Sequence, residues 1–256
     1  MRIVIKLGTS TLAHSTGLLN IKRVEELCKV MSDLKNAGNE LIIVSSGAIG
    51  MGAGKLSLGE RPRDVVTKQA AAAVGQCELM YTYDKLFSEY NHTVAQILIT
   101  GEDIQHSVRR RNFENTMLRL LELGAIPIIN ENDSIATDEI VIGDNDTLGA
   151  IVATAINADL LILLSDIDGL FTADPHKDKN AVLLNRVEEI TPDIEKMTGG
   201  AGSRLGTGGM TTKLNAAKMT TDAGIDMVIA NGKEPSLLYG IVNGESIGTR
   251  FVAKRQ

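Results

Sequence analysis

A chain of 256 residues, 43% of them hydrophobic, is long enough to bury the core of one large α/β domain or two small ones. Aromatic residues make up only 3% and tryptophan is absent, which leaves no stacking platform for nucleic acid; a net charge of -6 has the wrong sign for gripping a polyphosphate backbone, although a single nucleotide needs only a local patch. Met1 leads directly into RIVIKLG, without the charged and apolar regions of a signal peptide, and no apolar run reaches membrane-spanning length, so a cytoplasmic protein with no membrane or nucleic-acid partner is expected.

In chain order, apolar β-branched runs alternate with helical stretches. RIVIKL is followed by a helix from Ile21 to Gly38, ELIIVS by a helical region from about Pro62 to Tyr90, and TVAQILIT by the helix NFENTMLRLLELG. AIPIIN precedes GDNDTLGAIVATAINA, which turns helical at a polar cap; DLLILLS, the helix MTTKLNAAKMTTDAG and IDMVIA complete the series. Strands apolar on both faces, alternating with helices, predict a mostly parallel central sheet with helices on both faces, an αβα sandwich of the doubly wound kind. No linker or internal repeat divides residues 1–256, so one domain is expected.

Ligands of such sheets sit beyond the carboxyl ends of the strands. Four strand ends carry polar or small residues to that rim: KLGTST after the first strand, SSGAIGMGAG after the second, NENDSIATDEIVIGDND after Ile129 and SDIDGLFTADP after Leu164. GMGAGKLS superficially resembles a P-loop but fails it, because Ile49 stands where the first glycine belongs and Leu56 where the magnesium-binding hydroxyl belongs. Gly50, Gly52 and Gly54 do not make a dinucleotide fingerprint either. The turn from Ser45 to Ala48 suits an anion-binding nest at a helix start, or an ordinary glycine turn.

Lys6 ends an apolar strand, so its ammonium either snorkels to water or faces a buried negative charge; Gly8, Thr9 and Ser10 beside it favour a phosphate contact. Asp144, Asn145 and Asp146 open a helix, and two carboxylates with an amide exceed what capping needs. With Asn130, Asn132 and Asp133 upstream they can receive an amino group, position lysines or hold Mg²⁺ through water. Ser165 and Asp166 form either a turn-rich loop or the wall of a nucleoside site. In LGTGGMTTK the amides of residues 207–211 and the positive end of the following helix can converge on phosphate oxygens, with Lys213 in the first turn. Two lysines arriving from opposite sides suit a transferring phosphoryl group, whose equatorial charge must be stabilised. Cys28, Cys77 and the histidines His14, His92, His106 and His176 show no metal or redox spacing and receive no chemical role.

Taken together and in this order, KLGTS, VSSGAIGMG, INENDS, IGDND, SDIDGLFTADP and GTGGMTTK resemble the amino acid kinase family, and within it the glutamate 5-kinase branch, over essentially the whole chain. The resemblance implies transfer of the γ-phosphoryl group of Mg·ATP to the γ-carboxylate of L-glutamate, at the head of proline biosynthesis. It implies Lys6 and Lys213 flanking the transferred group with Asp146 organising them. It places the acceptor on Ser46, Gly47, Asp133 and Asn145. The nucleotide falls on Lys6, Gly8, Ser165, Asp166, Thr207, Gly208, Gly209, Met210, Thr211, Thr212 and Lys213, with Mg²⁺ arriving on ATP and no direct metal ligand. Many members of that branch continue into a carboxyl-terminal PUA domain, which is not expected here, and many are inhibited by proline and assemble as dimers or tetramers. An acetylated acceptor would leave the acidic pocket without its ammonium, so free glutamate is expected over acetylglutamate. Acetylglutamate kinase, aspartokinase, a nucleoside monophosphate kinase and a non-catalytic amino acid sensor are the alternatives.

Overall fold

A computed structural model of the protein describes residues 1–14, 18–60, 62–135, 144–175, 177–197 and 209–254. Its strands are β1 (Arg2–Leu7), β2 (Glu40–Ser45), β3 (Val94–Ile99), β4 (Ile126–Glu131), β5 (Leu160–Ser165), β6 (Arg186–Val187), β7 (Asp226–Asn231) and β8 (Thr249–Phe251). The helices are α1 (Thr9–Leu12), α2 (Ile21–Asn36), α3 (Ala48–Lys55), α4 (Val65–Ser88), α5 (Gly101–Gln105), α6 (Ser107–Glu122), α7 (Asn145–Ala155), α8 (Pro192–Met197), α9 (Met210–Asp222) and α10 (Leu237–Val242).

The strands form one sheet in the order β3-β4-β2-β1-β5-β7-β8-β6. Pairing is parallel throughout except between β7 and β8, which run antiparallel. Because side chains alternate along a strand, each strand feeds two cores. Ile3, Ile5 and Leu7 of β1 join residues of α2, α4 and α10, among them Leu27, Met31, Tyr83, Phe87 and Leu238. Val4 joins Phe113 and Met117 of α6, Leu148 and Val152 of α7 and Leu214 of α9. Lys6 shares the parity of Val4 and therefore emerges on the face covered by α7 and α9.

The glycine-rich run after β2 is helix. α3 holds Gly50, Gly52 and Gly54 although glycine costs about 1 kcal/mol per helical position relative to alanine. Packing explains it: a Cβ on Gly52 would stand 1.7 Å from the Ala71 carbonyl oxygen, and one on Gly75 would stand 1.7 Å from that of Ala48. Both glycines let α3 and α4 touch backbone to backbone. Gly47 begins α3 in the left-handed region, at φ 101°. Among the described residues no helix is long and apolar enough to cross a membrane.

Candidate active site

The carboxyl ends of β1, β2, β4 and β5 meet the amino-terminal ends of α7 and α9. At α7 the three polar residues divide the work. Asp144 is the cap: its Oδ1 accepts from the backbone N–H groups of Asp146 at 2.7 Å and Thr147 at 2.9 Å, and its Oδ2 from the Thr147 hydroxyl at 3.0 Å. With the cap satisfied, Asn145 and Asp146 are available for other contacts.

Asp146 binds both lysines. Lys6 Nζ lies 2.6 Å from Oδ1 and Lys213 Nζ 3.0 Å from Oδ2. The Thr212 hydroxyl lies 3.2 Å from Oδ2 and shares its one proton between this oxygen and the Gly209 carbonyl. All three charged residues are buried, with Asp146 at 0% exposure. Burial alone drives the Asp146 carboxyl upward, yet Lys6 and Lys213, through their charges and hydrogen bonds, outweigh it and hold the group below the usual carboxylate range. Two ammonium groups against one carboxylate leave this trio with one net positive charge in a poorly solvated place, which suits an incoming anion.

Local backbone fixes each member. Gly149, one turn into α7, sits over β1, where a Cβ would contact Lys6 Cβ at 3.6 Å. That close approach carries Asp146 to the tip of Lys6. The Gly8 N–H donates to the Leu164 carbonyl, and its own carbonyl accepts from Thr11 and Leu12, forming a tight turn after β1. A Cβ on Gly8 would lie 3.7 Å from Lys6 Nζ. Gly209 caps α9, its carbonyl accepting from Thr212 Oγ1 at 2.8 Å, so Met210, Thr211, Thr212 and Lys213 form the first turn. Thr207 and Gly208 lie outside the described residues, as does His176.

Beside the charged trio lies a neutral cradle. Asn145 Nδ2 lies 2.8 Å from the Ser46 hydroxyl, 3.0 Å from the Ser45 carbonyl and 3.1 Å from Asn130 Oδ1, three acceptors that share its two protons. Ser45 is held from behind by Tyr83 of α4, hydroxyl to hydroxyl at 2.8 Å. Asn130 donates in turn to Gln76 Oε1 at 3.0 Å. At its edge the half-buried Glu131 has its pKa raised to about 7, by burial first and then by the charges of Asp133 and Asp144. Asp133 thus belongs to the same rim.

Ser165 ends β5 and Asp166 follows it, the serine hydroxyl donating to Asp166 Oδ1 at 3.1 Å. Asp166 also lines a cleft of about 800 Å³ with Thr9, Ser10, Gly47, Met51 and Lys233, a volume in the range of small-molecule sites. Lys6, Asp146 and Lys213 are not part of its wall, so the cleft adjoins the charged trio across the Gly8–Thr11 turn. Among the described residues no cluster of three metal-ligating side chains occurs, and Cys28 and Cys77 are unpaired.

Sequence reasoning did not select Gln76, Tyr83, Glu131 or Gly149 as site residues. A polar signal existed for Gln76, the one amide in the alanine- and glycine-rich stretch AAAAVGQ. Gly149 and Tyr83 look like ordinary helix residues, and only the packing reveals them.

A buried lysine–aspartate–lysine trio thus stands at the rim of an αβα sheet, beside an amide-lined cradle, an arrangement suited to phosphoryl transfer. The chain belongs to the amino acid kinase family, whose model matches residues 1–231. A glutamate 5-kinase of Clostridium perfringens is 54% identical over 99% of this chain and 96% of its own length. One from Listeria monocytogenes serovar 1/2a is 49% identical over 100% and 94%. A third, from Caldanaerobacter subterraneus subsp. tengcongensis, is 52% identical over 98% of this chain and 68% of a longer relative. Among solved structures, UMP kinase from Bacillus anthracis superimposes with a TM-score of 0.68 at 20% identity, covering 99% of this chain and 96% of that one. An isopentenyl phosphate kinase from T. acidophilum gives 0.66 at 17% identity, covering 98% and 100%. These two likenesses concern the fold.

Proposed function

We propose that the protein is a glutamate 5-kinase: it transfers the γ-phosphoryl group of ATP to the γ-carboxylate of L-glutamate, giving L-glutamyl 5-phosphate for proline biosynthesis. The carrying observation is the pair of buried ammonium groups within 3.0 Å of one carboxylate, next to the Ser46–Asn145–Asn130 cradle. Relatives named glutamate 5-kinase at about half identity over nearly full length support the choice of acceptor.

In this reading a γ-carboxylate oxygen attacks the γ-phosphorus while the bond to the β,γ-bridging oxygen breaks and its electron pair leaves with ADP. The acceptor is already ionised at neutral pH, so no general base is required. Lys6 and Lys213 stabilise charge on the equatorial oxygens, and Asp146 keeps both tips aimed at one place. The first turn of α9 directs backbone N–H groups and a positive helix end at the nucleotide phosphates. Ser165, Asp166, Thr207 and Gly208 complete the nucleotide side, and Ser46, Gly47, Asp133 and Asn145 hold the amino acid. Mg²⁺ would arrive as part of the ATP substrate and would neutralise phosphate charge there; Asp146, paired with two lysines, is not assigned as its ligand. We treat residues 1–256 as one kinase domain, since both substrates draw contacts from strands across the sheet, and expect it to act as a homo-oligomer under feedback by proline.

The test is ATP-dependent hydroxamate formation with hydroxylamine, comparing L-glutamate with L-aspartate and N-acetyl-L-glutamate. Turnover with glutamate alone is expected. Turnover with either competitor and none with glutamate would overturn the substrate assignment.

A further inference from the structure

The amide groups of the acceptor cradle form a relay whose polarity is fixed at both ends by backbone atoms. At one end the Glu131 N–H, which can only donate, points at Asn130 at 2.9 Å, so the Asn130 atom there is the carbonyl Oδ1. The other arm of Asn130, Nδ2, then faces Gln76 and requires an acceptor, which makes the Gln76 atom at 3.0 Å its Oε1. At the far end the Ser45 carbonyl, which can only accept, lies 3.0 Å from Asn145 and identifies that atom as Nδ2. The two protons of Asn145 Nδ2 are shared among the Ser45 carbonyl, Asn130 Oδ1 at 3.1 Å and the Ser46 hydroxyl at 2.8 Å, and its carbonyl Oδ1 is the arm these bonds do not occupy.

The relay crosses the rim of the sheet. Gln76 comes from α4, in the layer with α2, whereas Asn145 opens α7 in the opposite layer. Gln76 is 7% exposed and Asn130 2%, so neither can exchange its partner for bulk water. If the Gln76 acceptor is lost, Asn130 keeps a buried NH₂ with no acceptor, and rotating its amide to find one sets NH₂ against the Glu131 N–H. Either response loosens the Asn130 oxygen that holds Asn145 in register.

We propose that Gln76 is a specificity-determining positioning residue: by accepting from Asn130 it locks Asn145 with its carbonyl oxygen, an acceptor, presented to the ammonium of the amino acid substrate. This rests on the glutamate kinase reading. It makes the preference for a free amino acid depend on a side chain in a helix of the opposite layer. Among the described residues Gln76 Nε2 has no hydrogen-bond partner, so the side chain's hydrogen bonding there runs through its oxygen.

The experiment measures kcat and KM with glutamate and with glutarate, which has both carboxylates and no ammonium, in the parent, Gln76→Met and Gln76→Glu. Methionine keeps the length and removes the acceptor; glutamate keeps an acceptor oxygen at the same reach. For Gln76→Met, KM for glutamate is expected to rise at least about tenfold while KM for ATP stays within about twofold, so the preference for glutamate over glutarate shrinks about tenfold. Gln76→Glu is expected to recover most of that preference. If Gln76→Met folds, by an unchanged melting transition, and keeps the parental preference, the proposal is wrong. If it unfolds, Gln76→Glu decides: a folded variant with the preference lost overturns the proposal, and one with it retained supports it. Should the parent itself fail to phosphorylate glutamate, the functional reading fails.

Discussion

Asn145 and Asp146 are neighbours in the first turn of one helix, yet they serve regions of opposite character. Asp146 sits among charges, two ammonium groups with little water near them. Asn145 sits among neutral donors and acceptors whose directions are set by backbone. The 100° that separates consecutive residues around a helix thus divides a centre that acts by charge from a cradle that acts by hydrogen-bond direction. In the proposed reaction the first sets the rate and the second selects the acceptor. Damage to Asp146 should therefore appear in kcat, and damage to the cradle in the KM for the amino acid.

The largest effect belongs to Asp146→Asn. The substitution keeps the shape and leaves two buried ammonium groups facing a neutral amide, and removing one partner of a buried pair costs about 3–5 kcal/mol. We expect kcat to fall at least about a thousandfold, in the range found when preorganised charge stabilisation is removed, with KM for glutamate changed less than about threefold. Urea denaturation should show the stability loss. Because the folded carboxyl titrates below its unfolded value of about 3.9, its stabilising contribution is full above that pH and is lost as pH falls through the lower folded value. A variant that keeps kcat within about tenfold of the parent would show that the charged region does not set the rate.

Next in size is the pH response of Glu131, at the edge of the neutral region. Its folded pKa of about 7 lies above the unfolded 4.5, so between these values the native state holds more protons and stability declines as pH rises, levelling off above about 7. Glu131→Gln should remove that slope when melting temperatures are compared at about pH 5 and pH 8. An ammonium bound nearby favours the ionised form, so glutamate should bind more tightly above about pH 7 and release protons on binding below it. Calorimetry in buffers of different ionisation enthalpy reads this directly. Proton uptake instead of release would place the ammonium elsewhere.

The same division governs what the sequence reveals. The charged region is legible because a lysine at the end of RIVIKL, a surplus carboxylate in GDND and a lysine one turn into a glycine-capped helix each violate the ordinary use of those positions. The five long central strands are legible because their runs are apolar on both faces. By contrast α3 opposes its own propensity, and only the contact of Gly52 and Gly75 with the facing backbone stabilises it as helix. β6 has two residues and β8 three, too short for a periodic signal, and the antiparallel turn of β8 onto β7 depends on tertiary pairing. The cradle is the least legible part, since Gln76, Asn130 and Asn145 are 54 and 15 residues apart and meet only once the sheet has formed.

Gly149 provides the smallest and most discriminating test of how tightly the charged region is built. A Cβ there would meet Leu161 Cδ1 at 3.4 Å, Lys6 Cβ at 3.6 Å and Leu163 Cδ2 at 3.8 Å, all ordinary contact distances. Alanine therefore fits, fills space between α7 and the sheet, and recovers up to about 1 kcal/mol of helix propensity. Gly149→Ala should raise the melting temperature by a few degrees with kcat within about twofold of the parent. Gly149→Leu adds four carbons where Lys6 and two leucines lie within contact of the first, so either α7 lifts from β1 or Lys6 changes rotamer, and both separate Asp146 from an ammonium group. Its kcat should fall while its KM for glutamate changes less, because Asn145 is held by Ser45, Ser46 and Asn130 rather than by Lys6. A rise in that KM with kcat intact would mean that the two sides of the α7 terminus are mechanically one, and the division of labour between charge and amide direction would have to be abandoned.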